Sequence, residues 1–138
     1  MFRKPLFWEL FLLTVVVGVL NYFALAYDLY WFVYEFDSLM HFLAGALVAI
    51  FFIWVYFFSG FFNPTKRTLF AFLKIAFLSS IFVAVSWEVY EVFLGEVVVQ
   101  GLEYAYDTTL DFIMDILGIL GATFYGYMKE INRIKNNE

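Results

Sequence analysis

Four apolar runs, residues 6–27, 38–59, 68–94 and 108–128, limit what this 138-residue chain can become. Each is long enough to cross a hydrocarbon core, which takes about 20 mostly apolar residues. The links between them are too short to make a separate domain. The chain is 64% hydrophobic and 25% aromatic with a mean hydropathy of +0.84, more apolar surface than one soluble core absorbs. The expectation is an all-α fold: a single integral membrane domain over residues 1–138, built as a bundle of four transmembrane helices. Helices suit such a chain because they bond their own backbone polar groups where water is absent. The first run lacks a small-residue cleavage pattern and is read as a retained span rather than a signal peptide.

The eight basic residues choose the orientation. Arg3 and Lys4 precede the first run, Lys66 and Arg67 follow the second, Lys74 lies less than two turns into the third, and Lys129, Arg133 and Lys135 follow the fourth. The connections 28–37 and 95–107 carry no Lys or Arg. Positive charge is retained on the cytoplasmic side, so both termini are expected there. Pro5 suits the first turn of a helix, and Asn63, Pro64 and Thr65 form a short break between spans two and three. Tyr27, Tyr30, Trp31 and Tyr34 suit the outer headgroup region. Residues 95–105 read as a brief extended or interfacial segment over the outer mouth.

Charge within the spans is the second constraint. Between Tyr106 and Gly126, taken as a helix, Asp107, Asp111, Asp115, Gly118, Ala122 and Gly126 fall within an arc of about 100°. That face carries three carboxylates and then three small residues, while the rest of the helix is largely Leu, Ile, Phe and Met. The pattern recurs. Asp37, His41, Gly45 and Ala49 are spaced by four, as are Ser80, Ala84 and Glu88, with Glu91 on the same side. In the first span, Thr14, Gly18 and Asn21 share a face, so that helix is a support that lends Asn21 to the site. With both termini inside, His41, Glu88 and Asp115 lie at one depth, roughly one to two turns below the outer boundary.

A charge at mid-membrane costs at least about 2.5 kcal/mol, so such residues mark a site by default. Several acids with one His and no neighbouring Lys or Arg need either protons or a cation to offset their repulsion. The leading reading is an intramembrane divalent-metal site with His41, Glu88, Asp111 and Asp115 as ligands and Asp37, Glu91, Asp107 and Asn21 as second-rank or alternative ones. Oxygen-rich donors with one imidazole suit Mg²⁺, Mn²⁺, Fe²⁺ or Zn²⁺. With no cysteine, thiolate sites and disulfides are excluded. Structural readings compete at the edges of the cluster: Thr108 to Asp111 fits a capping box at a helix start, and Asp37 with Ser38 fits an N-cap.

The stretches Asp37-Ser38-Leu39-Met40-His41-Phe42 with Gly45, Trp87-Glu88-Val89-Tyr90-Glu91, and Asp107-Thr108-Thr109-Leu110-Asp111 followed by glycines resemble the motifs of the YjdF-like family of small prokaryotic inner-membrane proteins, themselves similar to VanZ-like proteins. The resemblance spans residues 37 to about 121 and leaves Asp115 outside its best-matched part. It implies a shared polar site in a membrane bundle and no particular reaction.

Three function classes follow. A metal site could act on a lipid or isoprenoid phosphate entering from the outer leaflet, although no Lys or Arg stands there to clamp the phosphate. Protonatable carboxylates could serve ion or proton translocation, although below Asp115 the fourth span reads as Gly, Ala and apolar residues. The same cleft could belong to a non-catalytic module that binds a lipid, an antibiotic or a partner helix. Candidate partners are membrane lipids, a lipid phosphate and further copies of the chain as a homo-oligomer. The formal net charge of −5 gives no reason to expect nucleic acid.

The orientation is tested on a chain that has no native cysteine. Tyr30→Cys and Val98→Cys should react with an impermeant thiol reagent added outside, and Asn136→Cys should not. The reverse pattern would overturn the placement of the termini.

Overall fold

A computed structural model of the chain describes residues 5–33, 35–94 and 102–136, with the side chains of residues 88, 91, 94 and 102–105 outside the described set. The described elements are helical: α1 (Phe7–Ala26), α2 (Leu29–Phe32), α3 (Phe36–Ile53) continuing into a π-helical turn (Trp54–Phe58), α4 (Leu69–Leu94) and α5 (Leu102–Lys135). The helical segments Phe7–Ala26, Phe36–Phe58, Leu69–Trp87 and Tyr106–Lys135 are long and apolar enough to span a bilayer. The expected four-span, all-α membrane fold is what the chain adopts.

The bundle is built around α3 and α5, with α4 against both and α1 against α3. Without water between them, helices in lipid associate through close packing rather than through apolar burial, so small residues decide where backbones meet. A Cβ on Gly45 would lie 2.5 Å from the carbonyl oxygen and 2.9 Å from the Cα of Asp115. One on Gly118 would meet the carbonyl oxygen of Phe42 and lie 2.8 Å from the nitrogen of Ala46. Further along, Gly126 leaves room for Ile53 and for Leu6, which takes a left-handed conformation (φ 64°) just before α1. Ala49 and Ala122 are buried on the same two helices. The small-residue stripes of α3 and α5 thus face each other. A Cβ on Gly18 would meet no atom within 4 Å among the described residues, so that glycine of α1 marks no close helix approach.

Several boundaries differ from expectation. α5 begins at Leu102, so Thr108 to Asp111 lies inside a helix rather than at its start. Amide groups there already bond carbonyls one turn back, and no capping box forms. Residues 102–105 are helical instead of extended, and 95–101 lie outside the described residues. α3 begins at Phe36 with Glu35 at the cap position and no side-chain cap bond, so Asp37 is a first-turn residue and not the N-cap. Pro5 lies in a turn ahead of α1, because Leu6 with positive φ separates it from the helix.

The end of the bundle that carries both chain ends is closed by ion pairs that the hydropathy pattern does not reveal. Glu130 is fully buried. Arg133 donates to it from Nε (2.8 Å) and Nη2 (2.7 Å), and Arg67 from Nη1 (3.3 Å). Arg67 also donates from Nη2 to the carbonyl oxygen of Phe57 (2.7 Å) in the π-helical turn, satisfying a carbonyl that a helix end leaves unpaired. Phe57 stacks on Phe72 of α4, ring centres 4.0 Å apart. Beside this group Lys129 pairs with Glu9 of α1 at 2.6 Å, and Tyr125 donates to the same carboxylate. The link between spans two and three is therefore tied to the far end of α5.

Two stability predictions follow. Gly118→Ala should destabilise the purified protein by about 1–3 kcal/mol, the usual range for overpacking. Gly121→Ala, with nothing within 4 Å of the added carbon, should change stability by no more than about 0.5 kcal/mol. Glu130→Gln leaves two guanidinium groups around a neutral amide and should cost about 3 kcal/mol. Thermal or denaturant unfolding in detergent measures all three, and equal melting of the two glycine variants would contradict the α3–α5 contact.

Candidate functional site

At the opposite end, each of the two central helices presents a pair of polar residues one turn apart. On α3 these are Asp37 and His41; on α5 they are Asp111 and Asp115. Positions i and i+4 lie one above the other on a helix face, and the glycine contacts bring the two faces together. His41 stands between them. Its Nε2 is 3.9 Å from Oδ1 of Asp37 and 3.8 Å from Oδ2 of Asp111. Its Nδ1 is 3.5 Å from Oδ2 of Asp115, the long limit of a hydrogen bond.

Donor atoms of Asp37, His41 and Asp111 all lie within 4.8 Å of one another. Tetrahedral donors held about 2.1 Å from an ion stand about 3.4 Å apart, so small side-chain rotations would bring these three onto one cation. The side chains of Asp111, Asp115 and His41 are 8%, 11% and 13% exposed, against 43% for Asp37. The group is enclosed on the α5 side and open past Asp37. Two carboxylates within 4.8 Å repel by about 3 kcal/mol even at an effective dielectric constant of 20. Among the described residues, the cationic side chain beside these carboxylates is the imidazole of His41. The described Lys and Arg residues, Lys66, Arg67, Lys74, Lys129, Arg133 and Lys135, all belong to the segments at the other end. What the arrangement can do is accept a cation.

The structure thus brings His41, Asp111 and Asp115 together and adds Asp37 as a full member. Asp107 sits one turn before Asp111, half-buried, near enough for its charge to act on Asp37. Asn21 is exposed and accepts a hydrogen bond from Tyr30 Oη at 2.8 Å, which ties α1 to α2. α4 carries Glu88 and Glu91 in its last turns, and their side chains lie outside the described residues. Its buried stripe of Phe72, Ala76 and Ser80 steps by four toward that end.

Gly45 and Gly118 matter to the site more than the sequence suggests. Gly45 is in contact with the backbone of Asp115 itself, and Gly118 is in contact with Phe42, next to His41. Small residues at fixed spacing announce close packing, but not which backbone they receive. Glu9 and Glu130 also escaped sequence reasoning. The signal for Glu130 was a basic residue on either side, Lys129 adjacent and Arg133 three positions on.

Residues 5–131 match the family described as predicted membrane protein (DUF2238), which is the YjdF-like family, and the chain belongs to it. A similarity to VanZ-like proteins is not shown. No curated protein and no solved structure matches the chain.

Proposed function

We propose that this member of the DUF2238 family holds a divalent cation at the end of the bundle away from its basic residues, with His41 Nε2, Asp37 and Asp111 as ligands. The observation that supports it is the convergence of three donor atoms from two helices within 4.8 Å, in a place without a neighbouring Lys or Arg among the described residues. Carboxylate repulsion makes this cluster unfavourable alone, and a divalent ion reverses the sign of that energy. On sequence grounds Glu88 is the candidate ligand from α4. Mixed oxygen and imidazole donors suit Mg²⁺, Mn²⁺, Fe²⁺ or Zn²⁺.

Three protein ligands from α3 and α5, even with Glu88 as a fourth, leave positions for water or a substrate oxygen on a six-coordinate ion, the pattern of catalytic rather than closed structural sites. With both termini cytoplasmic, the site opens to the outer leaflet, and the substrate class it suits is a lipid or isoprenoid phosphate. An apolar groove of about 560 Å³ between α1, α3 and α4, walled by Leu10, Leu47, Phe51 and Val83 among others, offers a place for a hydrocarbon chain. Leu47 lies six residues from His41, about 9 Å along the helix. The bound metal would polarise a phosphoryl oxygen and, with no Lys or Arg at this end among the described residues, would be the positive charge that holds the phosphate. A translocation path through one chain lacks support among the described residues: below Asp115 the one buried hydroxyl of α5, on Thr123, donates to its own helix at Ile119, 2.7 Å.

Metal content decides the matter. Wild-type protein purified without chelator should carry about one divalent ion per chain, and added metal at 100 times its dissociation constant should stabilise it by about 2.7 kcal/mol. His41→Ala and Asp111→Asn should abolish both effects. Occupancy should fall as pH drops, because the ligands must be deprotonated to bind. A chain with no stoichiometric metal, whose melting ignores both chelator and added Mg²⁺, Mn²⁺ or Zn²⁺, would refute the proposal.

A further inference from the structure

His41 has a different neighbour on each ring nitrogen, and this divides the cluster into two roles. Nε2 faces the oxygens of Asp37 and Asp111, whereas Nδ1 faces Asp115 Oδ2 at 3.5 Å. The in-plane bonding directions of the two ring nitrogens diverge, so an ion on Nε2 lies on the far side of the ring from a carboxylate that meets Nδ1. We infer that Asp115 is a positioning residue and not a metal ligand: it accepts the Nδ1 proton of His41, fixes the tautomer whose Nε2 lone pair faces Asp37 and Asp111, and holds the ring there. The inference rests on the metal reading above and names how that site is tuned.

A second geometric feature supports it. Asp115 reaches His41 because the α5 backbone at Asp115 lies directly on Gly45, one turn beyond His41 on α3, where a Cβ would come to 2.5 Å from the Asp115 carbonyl oxygen. The glycine sets the backbone of Asp115 at one height against α3, and the carboxylate then meets the ring edge one turn back. Asp115 is also enclosed, its side chain 11% exposed, while Asp37 on the other ring nitrogen is 43% exposed. The open side, where water or substrate oxygen can join an ion, is therefore the Nε2 side. Carboxylates that orient a metal-bound imidazole in this way also raise its basicity, and losing one typically weakens metal binding 10- to 100-fold.

The chain contains a single histidine, so ¹⁵N labelling of histidine reports on His41 alone. With Zn²⁺ bound to the wild-type protein in detergent or nanodiscs, the ring should show Nε2 coordinated and Nδ1 protonated. Nδ1 coordination with a protonated Nε2 would overturn the inference while leaving a metal site in place. Absence of any metal-dependent signal would overturn the metal reading and the inference with it. Asp115→Ala should weaken Zn²⁺ binding 10- to 100-fold, and Asp115→Asn, which keeps a neutral acceptor of the same shape, should lose clearly less. Equal losses in the two variants, as expected for a removed carboxylate ligand, would count against the positioning role.

Discussion

The contact between the backbones of α3 and α5 is the constraint on which the rest of this molecule depends. Gly45 admits the backbone of Asp115, and Gly118 admits that of Phe42 and Ala46. In lipid, burial of apolar side chains drives helices together only weakly, because hydrocarbon tails are as apolar as leucine; surface fit takes over. The same approach that supplies the packing also sets the distance from His41 to the acids of α5. Fold and site share one device. A side chain at either glycine would push apart the helices and the donor atoms in one step.

The two ends of α5 treat charge in opposite ways. Glu130 is fully buried but receives three hydrogen bonds from two guanidinium groups, and Glu9 is paired with Lys129. Asp111 and Asp115 are nearly as enclosed and have only His41 as a cationic neighbour among the described residues. From Asp115 to Glu130 is about 22 Å along the helix, roughly three quarters of the thickness of a hydrocarbon core. The charged centres thus stand toward opposite ends of the bundle. One is neutralised within the protein and acts as a tie between the α3–α4 link, α5 and α1. The other is short of positive charge among the described residues, which is the physical reason for the cation proposed there.

α1 stands apart from this arrangement. Its large side chains, Trp8, Phe11, Leu12, Tyr22 and Leu25 among them, are more than half exposed within the chain. Phe7, Leu10 and Leu13 pack against the core at the basic end. Its other contacts are with the short α2, through Asn21 and Tyr30, and with Glu130's neighbours through Glu9. Most of its circumference is uncovered within the chain, and its nearly uniform hydrophobicity suits a membrane span.

Hydropathy and spacing are local to each helix, and what they control was legible in the chain alone. Four runs of sufficient length determined four spans. The four-residue spacing of Asp37, His41 and Gly45, and of Asp111 and Asp115, determined that polar and small residues share one face of each helix. Properties that depend on contact between distant residues were decided by the tertiary structure. Asp115 meets Nδ1 of a histidine 74 positions away while Asp37 meets Nε2, and no feature of either helix separately ranks those two acids. α5 runs back to Leu102 because its amides find carbonyl partners there, although Thr108 and Asp111 spell a helix start. Glu130 reads as a surface acid next to Lys129 until Arg67, 63 positions earlier, closes over it. Sequence assigned residues to faces; only the register of one helix against another, set by which backbone each glycine receives, could assign them to partners.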